Sequence, residues 1–451
     1  MKIIVRSGII ISLAILAGYA FLWHFVSSGS NITRRLDNLS SNPNPIIRHF
    51  SPTWRSIKKI LDVPYLLRST SHVSSLPHYA VTISNTDFIE LIANLPDYPR
   101  EYKLLEDDKY STRGSFAYES YYSDQAEIRF RGVSPNHWNA IKKSVQINLP
   151  PAQPLQGRTT YRFFLSEDKG WVNAMLWNHI SQKLRIMTPA VTPARLAING
   201  KEVGVYLLIE GWEPSLLDRY EKLAGNIFSN KNIETNITDL WRSDQISQWY
   251  NRSDPAVPAT SYPELAQLLH VVSETPDEEF AREIPQILDM DTFYRWTVAT
   301  VLSGNFHQGN IANMNFYFNP ETKKFEPILF DATISPLGEV IDVRNHRVVN
   351  RILQHKEFRQ TFDSLLTQYI RDTQNLQDDL TFYDTKKNEL RLDIFSDTSK
   401  IQTSLEAMQQ IQRDRANYIH TYMTLQKMLR EENGFRYTFA EETYPLHDLA
   451  N

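Results

Sequence analysis

Read for hydrophobic period, the chain changes character several times. Residues 7–26 (SGIIISLAILAGYAFLWHFV) form an unbroken uncharged run, and about 20 apolar residues suffice to cross a bilayer as a helix. From about residue 78 to 150 apolar positions alternate with polar ones: AVTIS, AEIRFRG and KKSVQINLP all show period two, which predicts strands. VNAMLWNHISQKLRI (172–186) switches to helical spacing. RLAINGKEVGVYLLIE (195–210) predicts a hairpin turning at Asn199-Gly200, the strongest short turn signal. After a polar, Trp-punctuated stretch at 239–262, helical spacing returns in PELAQLLHVVSE and MDTFYRWTVATVLSG. NFYF, the turn NPETKK and FEPILF predict a second hairpin that ends at Asp331, and residues 346 to about 432 read as charged amphipathic helix. The order predicts an α+β chain with a strand-rich first half and a helical second half.

The ends refine this organisation. The apolar run follows a short basic start (residues 1–6) and carries Tyr19, Trp23 and His24 at its far end, like an interfacial aromatic belt. It is longer than the core of a cleaved signal peptide, roughly 7–15 residues. It therefore predicts a single-pass anchor in the lipid bilayer, with the bulk of the chain on the outer side of the membrane. Residues 27–74 begin Ser-, Asn- and Pro-rich and predict a tether. One domain follows over 75–432, divided into a strand-rich part (75–225) and a helical part (226–432), before a tail at 433–451.

Composition mostly excludes. The 451 residues contain no cysteine, which removes disulfides, thiolate nucleophiles and cysteine zinc sites. With 48 basic and 52 acidic residues the net charge is −4, and no segment is one-sidedly basic, so nucleic acid is not an expected partner. GxxxxGK[ST], GxGxxG, HExxH and GxSxG are all absent from the sequence.

Three local features carry candidate chemistry. In IRFRGVSPNHWNAIKKSVQINL (128–149), Val145, Ile147 and Leu149 share one strand face, and the alternation carried backward puts Lys143 there too. A lysine aimed at an apolar interior is costly unless paired. Lys143 therefore either reaches water at the strand end or meets an anion, and Glu210, closing GVYLLIE, is the nearest candidate partner. The third feature runs from His307 to Asp331. Gln308 precedes Asn313 by five positions, and Asp331 comes after one hairpin. Protein kinases space a base Asp, a metal-binding Asn and a second metal-binding Asp in this way. One Asp and one Asn offer the oxygen ligands that suit magnesium on a nucleotide's phosphates.

The order RFRGVS, KKSVQINL, helix, LAINGKEVGVYLLIE, GNIF, HQGNIANMNFYF, FEPILFD resembles the spore-coat CotH kinase family over roughly residues 75–430. The most specific pieces are NGxxxGVYxLxE at 199–210 and Asp331 with Gly338 behind it. The resemblance implies a divergent two-lobed protein-kinase fold that holds ATP and Mg2+ between its lobes and transfers phosphate to Ser or Thr of a protein. Residue by residue, it implies Asp331 as magnesium ligand and Asn313 as second metal or phosphate ligand. Lys143 becomes the phosphate-contacting lysine, and Arg131 and Glu210 line the nucleotide side. Two positions depart from the family. Gln308 stands where a base Asp is expected, and Phe330-Asp331-Ala332-Thr333 lacks the second carboxylate of Trp-Asp-x-Asp. Both departures raise the pseudokinase reading. The alternative from another class is a non-catalytic binding protein of a cell-envelope or polysaccharide-export assembly, with Trp171, Trp177, Trp212, Trp241 and Trp249 as candidate glycan-stacking residues.

Overall fold

Seven strands of the first half close into a barrel: β1 (His78–Thr82), β2 (Ser111–Tyr118), β3 (Tyr121–Phe130), β4 (Val145–Asn148), β5 (Thr160–Leu165), β6 (Val191–Ile198) and β7 (Lys201–Ile209), in the order β1-β2-β3-β4-β5-β7-β6. Neighbours are antiparallel except at the seam, where β1 runs parallel to β6. The computed structural model describes residues 2–28, 50–98, 100–101, 103–230, 239–304, 307–309, 313–431 and 434–440, with the side chains of 2–13, 27 and 52 outside that set.

The period-two segments produce this barrel because alternate residues fill it. Phe116, Ile128, Val145, Ile147, Tyr161, Phe163, Leu196 and Leu208 form one buried cluster inside, so their strand neighbours point outward. The predicted Asn199-Gly200 hairpin forms between β6 and β7, with φ of 51° and 73° at the turn, the left-handed pair that a two-residue hairpin requires. The helix Asn173–Leu184 connects β5 to β6.

The second half opens with a four-stranded antiparallel sheet, β11-β10-β8-β9, built from β8 (Asn226–Asn230), β9 (Trp249–Asn251), β10 (Asn315–Asn319) and β11 (Lys324–Pro327). The remainder is mainly helix, ending in Thr373–Ser396 and Ser404–Glu431. These helices and the second sheet share a core separate from the barrel interior. The α+β expectation of strands first and helices later therefore holds.

Two expectations change. The backbone of Lys2–Ser27 is one helix, yet among the described residues no helix is long and apolar enough to cross a membrane. The span expected at 7–26 is thus not borne out, and the side chains of 7–13 lie outside the described residues. Within the expected tether, residues 29–49 also lie outside, but Ser51–Lys59 and Val63–Ser69 are helices that dock on the body. Lys58 pairs with Glu406 at 2.6 Å, and Asp62 Oδ1 accepts from the Ser404 backbone N–H at 2.5 Å. Asp62 so supplies an acceptor at the start of Ser404–Glu431, where backbone donors lack intrahelical partners. The docking combines these charged contacts with apolar ones, Leu61 against Leu405 and Tyr65 against Phe395.

Candidate functional site

The outer face of the barrel supplies one wall of the site. Arg129, Gln146 and Arg162 lie in register across β3, β4 and β5, all pointing outward because Ile128, Ile147 and Tyr161 point in. Phe164, Leu207 and Ile209 form an apolar patch on the same side, against which Phe330 packs. Arg131, just past β3, stacks its guanidinium 3.9 Å over Phe164. Burial, with Arg129 and Arg252 nearby, pulls that guanidinium down to about 9.

The facing wall is the segment after β11. The strand stops at Pro327, short of the expected tip, and Asp331 lies four residues on, at φ 57°. A left-handed non-glycine residue holds only where its surroundings fix it. Here the Leu329 N–H donates to Met187 O at 2.8 Å, and the Gln308 side-chain amide donates to the Phe330 carbonyl. The hairpin preceding Asp331 is therefore as expected, but the carboxylate is aimed by a clamped loop and not by a strand end.

Around Asp331 the charges converge on one ammonium. Lys169 Nζ lies 2.5 Å from Asp331 Oδ1 and 3.2 Å from Asp168 Oδ2. His307 Nε2 sits 3.4 Å from Asp331 Oδ2. Asp168 also accepts from Asn136 and faces His137 Nε2 at 3.7 Å. The Asp331 side chain is 15 % exposed and that of Lys169 10 %. Burial alone would raise the Asp331 carboxyl, but Lys169 and His307 outweigh it and hold the group well below the usual carboxylate range. Burial likewise opposes the charge on Lys169, and Asp331 and Asp168 overcome it, raising the ammonium. His137 is kept neutral chiefly by burial, which lowers it to about 4. A small cavity beside this cluster is lined by Lys169, Asn173, Trp177, Phe330, Asp331 and Thr333.

The expected residues fare differently. Asp331, His307 and Gln308 meet in one place. Gln308 is 1 % exposed; its amide N–H is engaged with Phe330 O, and its Oε1 has no partner among the described residues. Asn313 takes a left-handed φ of 64° just before β10, and its carbonyl accepts from Asn315. Residues 310–312, inside the expected motif, lie outside the described residues. The pairing expected between Lys143 and Glu210 is not formed. Lys143 Nζ donates to the carbonyls of Trp138 and Ala140 at 2.6 and 2.7 Å. Glu210 instead accepts from Arg219 and from Ala190 N, and faces Arg158 at 3.7 Å.

The buried lysine is its neighbour, Lys142, bound to Val205 O at 2.6 Å, Asp397 Oδ2 at 3.0 Å and Glu167 Oε2 at 3.5 Å. Strand alternation misassigned the two because β4 begins only at Val145, and the bent chain before it does not keep strand parity. Asp397 also accepts from the Val205 N–H at 2.9 Å, which ties β7 to the end of Thr373–Ser396. This approach requires Gly204, at φ 95°, since a Cβ there would lie 2.2 Å from Asp397 Oδ1. The glycine in NGxxxGVY thus serves a buried ion cluster.

Sequence reading missed Lys169, Asp168, Arg162 and Arg252. SEDKGW offers no periodic signal. Arg162 was legible in principle: in TYRFFL it is the one charge on a strand that is apolar on both faces, and parity places it beside Phe164. Four of the candidate glycan-stacking tryptophans, Trp171, Trp177, Trp241 and Trp249, are core residues at most 3 % exposed, leaving Trp212 at the site.

Among the described residues no group of three or more His, Asp or Glu could by itself hold a metal ion. Two carboxylates around one cation do fit magnesium, which usually keeps waters and binds through one or two carboxylates plus substrate phosphates. The unpartnered guanidinium donors of Arg131 and Arg162 fit the phosphates.

Comparison with known proteins places the chain in a family. The chain is similar to the inner spore coat protein H of Bacillus subtilis (strain 168), with 24% identity over 319 residues, covering 65% of this chain and 81% of that protein. The family described as CotH kinase protein matches residues 128–428, a span that holds β4–β11, Lys169 and Asp331. The chain belongs to the CotH kinase protein family.

Proposed function

We propose that the cleft between the outer barrel face and the Asp331 loop binds a nucleotide triphosphate with Mg2+, and that the chain is an atypical kinase acting on Ser or Thr of a protein. The observation that carries this reading is the Lys169 ammonium held between Asp331 and Asp168, a cation in the place a divalent ion would take. Asp331, Asp168 and Asn313 would hold the metal, which neutralises phosphate charge and orients the transferred group. Asp168 supplies the second carboxylate that the sequence after Asp331 lacks. Lys169, released from the pair, and Arg131 face the phosphates. The site works by positioning and by charge neutralisation, which dominate phosphoryl transfer.

Gln308 favours a second reading, that of a pseudokinase. It cannot accept a proton, loss of a general base typically lowers rate by ~10²–10⁴, and its amide is already engaged in holding Phe330. Incubation of the chain with γ-labelled ATP, Mg2+ or Mn2+ and candidate envelope proteins separates the two. Labelled Ser or Thr supports the kinase; nucleotide binding without label in any protein supports the degenerate form.

Residues 7–26 are proposed to anchor the chain in the bilayer, with the bulk of it on the outer side. Ile15, Leu16 and Phe21 on this helix are 63–71% exposed, whereas Val26 packs with Leu61 and Leu405 at its far end. Apolar side chains exposed beyond the contacts that Tyr19, Leu22, Phe25 and Val26 make with the body suit lipid contact.

A further inference from the structure

Beyond Lys169 the outer barrel face carries more positive charge than the site has anions to meet. Arg162 is only 4 % exposed, and its Nε and Nη2 donate to no acceptor among the described residues; the same is true of Nε and Nη1 of Arg131. Arg252, following β9, donates to Ser229 Oγ at 2.5 Å and lies 4.7 Å from the Trp212 ring and 4.8 Å from that of Tyr250. Arg162 lies 5.6 Å from the same Trp212 ring. Trp212 packs on Phe330 at 5.2 Å, next in sequence to Asp331, so this cluster borders the proposed nucleotide site.

The carboxylates that bear on the cluster are mostly engaged elsewhere, but Glu213 Oε2 is buried with no hydrogen-bond partner among the described residues and offsets part of the charge on Arg162, and Asp331 bears on Arg131. Glu213 Oε1 accepts from the N–H and hydroxyl of Thr159, and Glu106 is held by Lys109 and by Arg129 at 2.7 Å. Burial lowers all three guanidiniums; Arg131 lowers Arg162 further, and Arg252 lowers both of them. Stacking on Trp212 offsets part of the cost of burying them, but buried N–H donors left unused remain unfavourable until an anion meets them. A magnesium-bound triphosphate is already partly neutralised, and Lys169 and Arg131 face what remains. Arg162 and Arg252 are in excess, and their planar forks match a phosphate.

We infer that Arg162 and Arg252, with Arg131 beside them and Trp212 as stacking platform, form a second anion subsite that takes a phosphate monoester. The inference rests on the nucleotide reading above only for its placement beside the triphosphate. The monoester has two sources, a 3′-phosphate on the nucleotide itself or a phosphorylated acceptor.

Calorimetry on the full chain in detergent tests it, with inorganic phosphate titrated in the presence of MgATP and, separately, with adenosine 3′-phosphate 5′-triphosphate competing against ATP. Loss of one charge-assisted contact should weaken the anion roughly ten- to hundredfold. Phosphate binding that falls by that factor in Arg162→Gln supports the subsite and an acceptor source. A 3′-phosphate preference of about tenfold or more, lost in the same variant, supports it with a nucleotide source. Arg162→Gln should also raise the melting temperature of the ligand-free protein, since it removes a buried guanidinium two of whose nitrogens donate to no acceptor among the described residues, where a structural arginine would lower it. Should that variant fail to fold, Arg252→Gln gives the same binding comparison. Anion binding that is absent in wild type, or equal in wild type and variant, overturns the inference. MgATP binding is read in its own titration, so phosphate binding that depends on Arg162 without MgATP binding would sink the nucleotide reading and leave the subsite standing.

Discussion

Lys169→Met keeps the length and apolar stem of the side chain and removes the ammonium 2.5 Å from Asp331 and 3.2 Å from Asp168. Two carboxylates, 15 % and 17 % exposed, are then left facing each other's field with His307 and Asn136 as their main remaining partners. Breaking a fully buried pair costs ~3–5 kcal/mol; partial exposure brings the expectation here to about 2–4 kcal/mol at neutral pH. The pH dependence fixes the mechanism. In wild type the Asp331 carboxyl is depressed below its unfolded value, so its contribution is fully present above about pH 4 and is lost only as pH falls below that, towards the depressed folded value. Without Lys169, burial becomes the leading influence and raises the group, so the variant tolerates acid better than wild type at this position. The stability gap should therefore narrow as pH falls from 7 to 4. Millimolar Mg2+ should stabilise the variant more than wild type, because the ion no longer has to displace an ammonium. Denaturant melts of both proteins at several pH values, with and without Mg2+, measure this. A gap that stays constant with pH, or equal Mg2+ stabilisation of both proteins, would refute the idea that Lys169 holds the place of a cation.

Other expectations follow from the same geometry. Lys142→Ala should destabilise by ~3–5 kcal/mol by stranding Asp397 and Glu167, whereas Lys143→Ala, which frees two carbonyls and strands no charge, should cost less; equal losses in denaturant melts would contradict the assignment. Gly204→Ala should cost about 3 kcal/mol or more, from backbone strain at φ 95° and displacement of Asp397, and a neutral effect on melting would be contrary evidence. Gln308→Asp should weaken MgATP binding, because a carboxylate cannot donate to Phe330 O; a gain in phosphoryl transfer would show that the position acts as a base. Full-length chain should stay in membranes through a carbonate wash while residues 28–451 come off, and release of both would remove the anchor.

How much of this was legible depended on which signals are local. The Asn199-Gly200 turn and the barrel strands were readable because turn chemistry and period two are encoded within a few residues. Asp331 and Gln308 were singled out by their spacing, and the Gln308 amide donates to the carbonyl of Phe330, next to Asp331. Lys143 was chosen over Lys142 because parity was carried back past Ser144, where the strand has not begun. Lys169 and Arg252 could not be found by period at all: one lies in a loop and the other after a three-residue strand, and only tertiary packing brings them to Asp331 and Trp212. The docking of Ser51–Lys59 was hidden for the same reason, since its partners lie more than 300 residues away.

Titration of MgATP into wild type and Asp331→Ala by calorimetry tests the central claim most directly. Asp331→Ala leaves Lys169 paired with Asp168, so the fold should persist, with a lowered melting temperature because the stabilising Asp331–Lys169 contact is lost. The account predicts saturable binding to wild type and its loss in the variant. Equal binding by both proteins, or binding by neither, would contradict it.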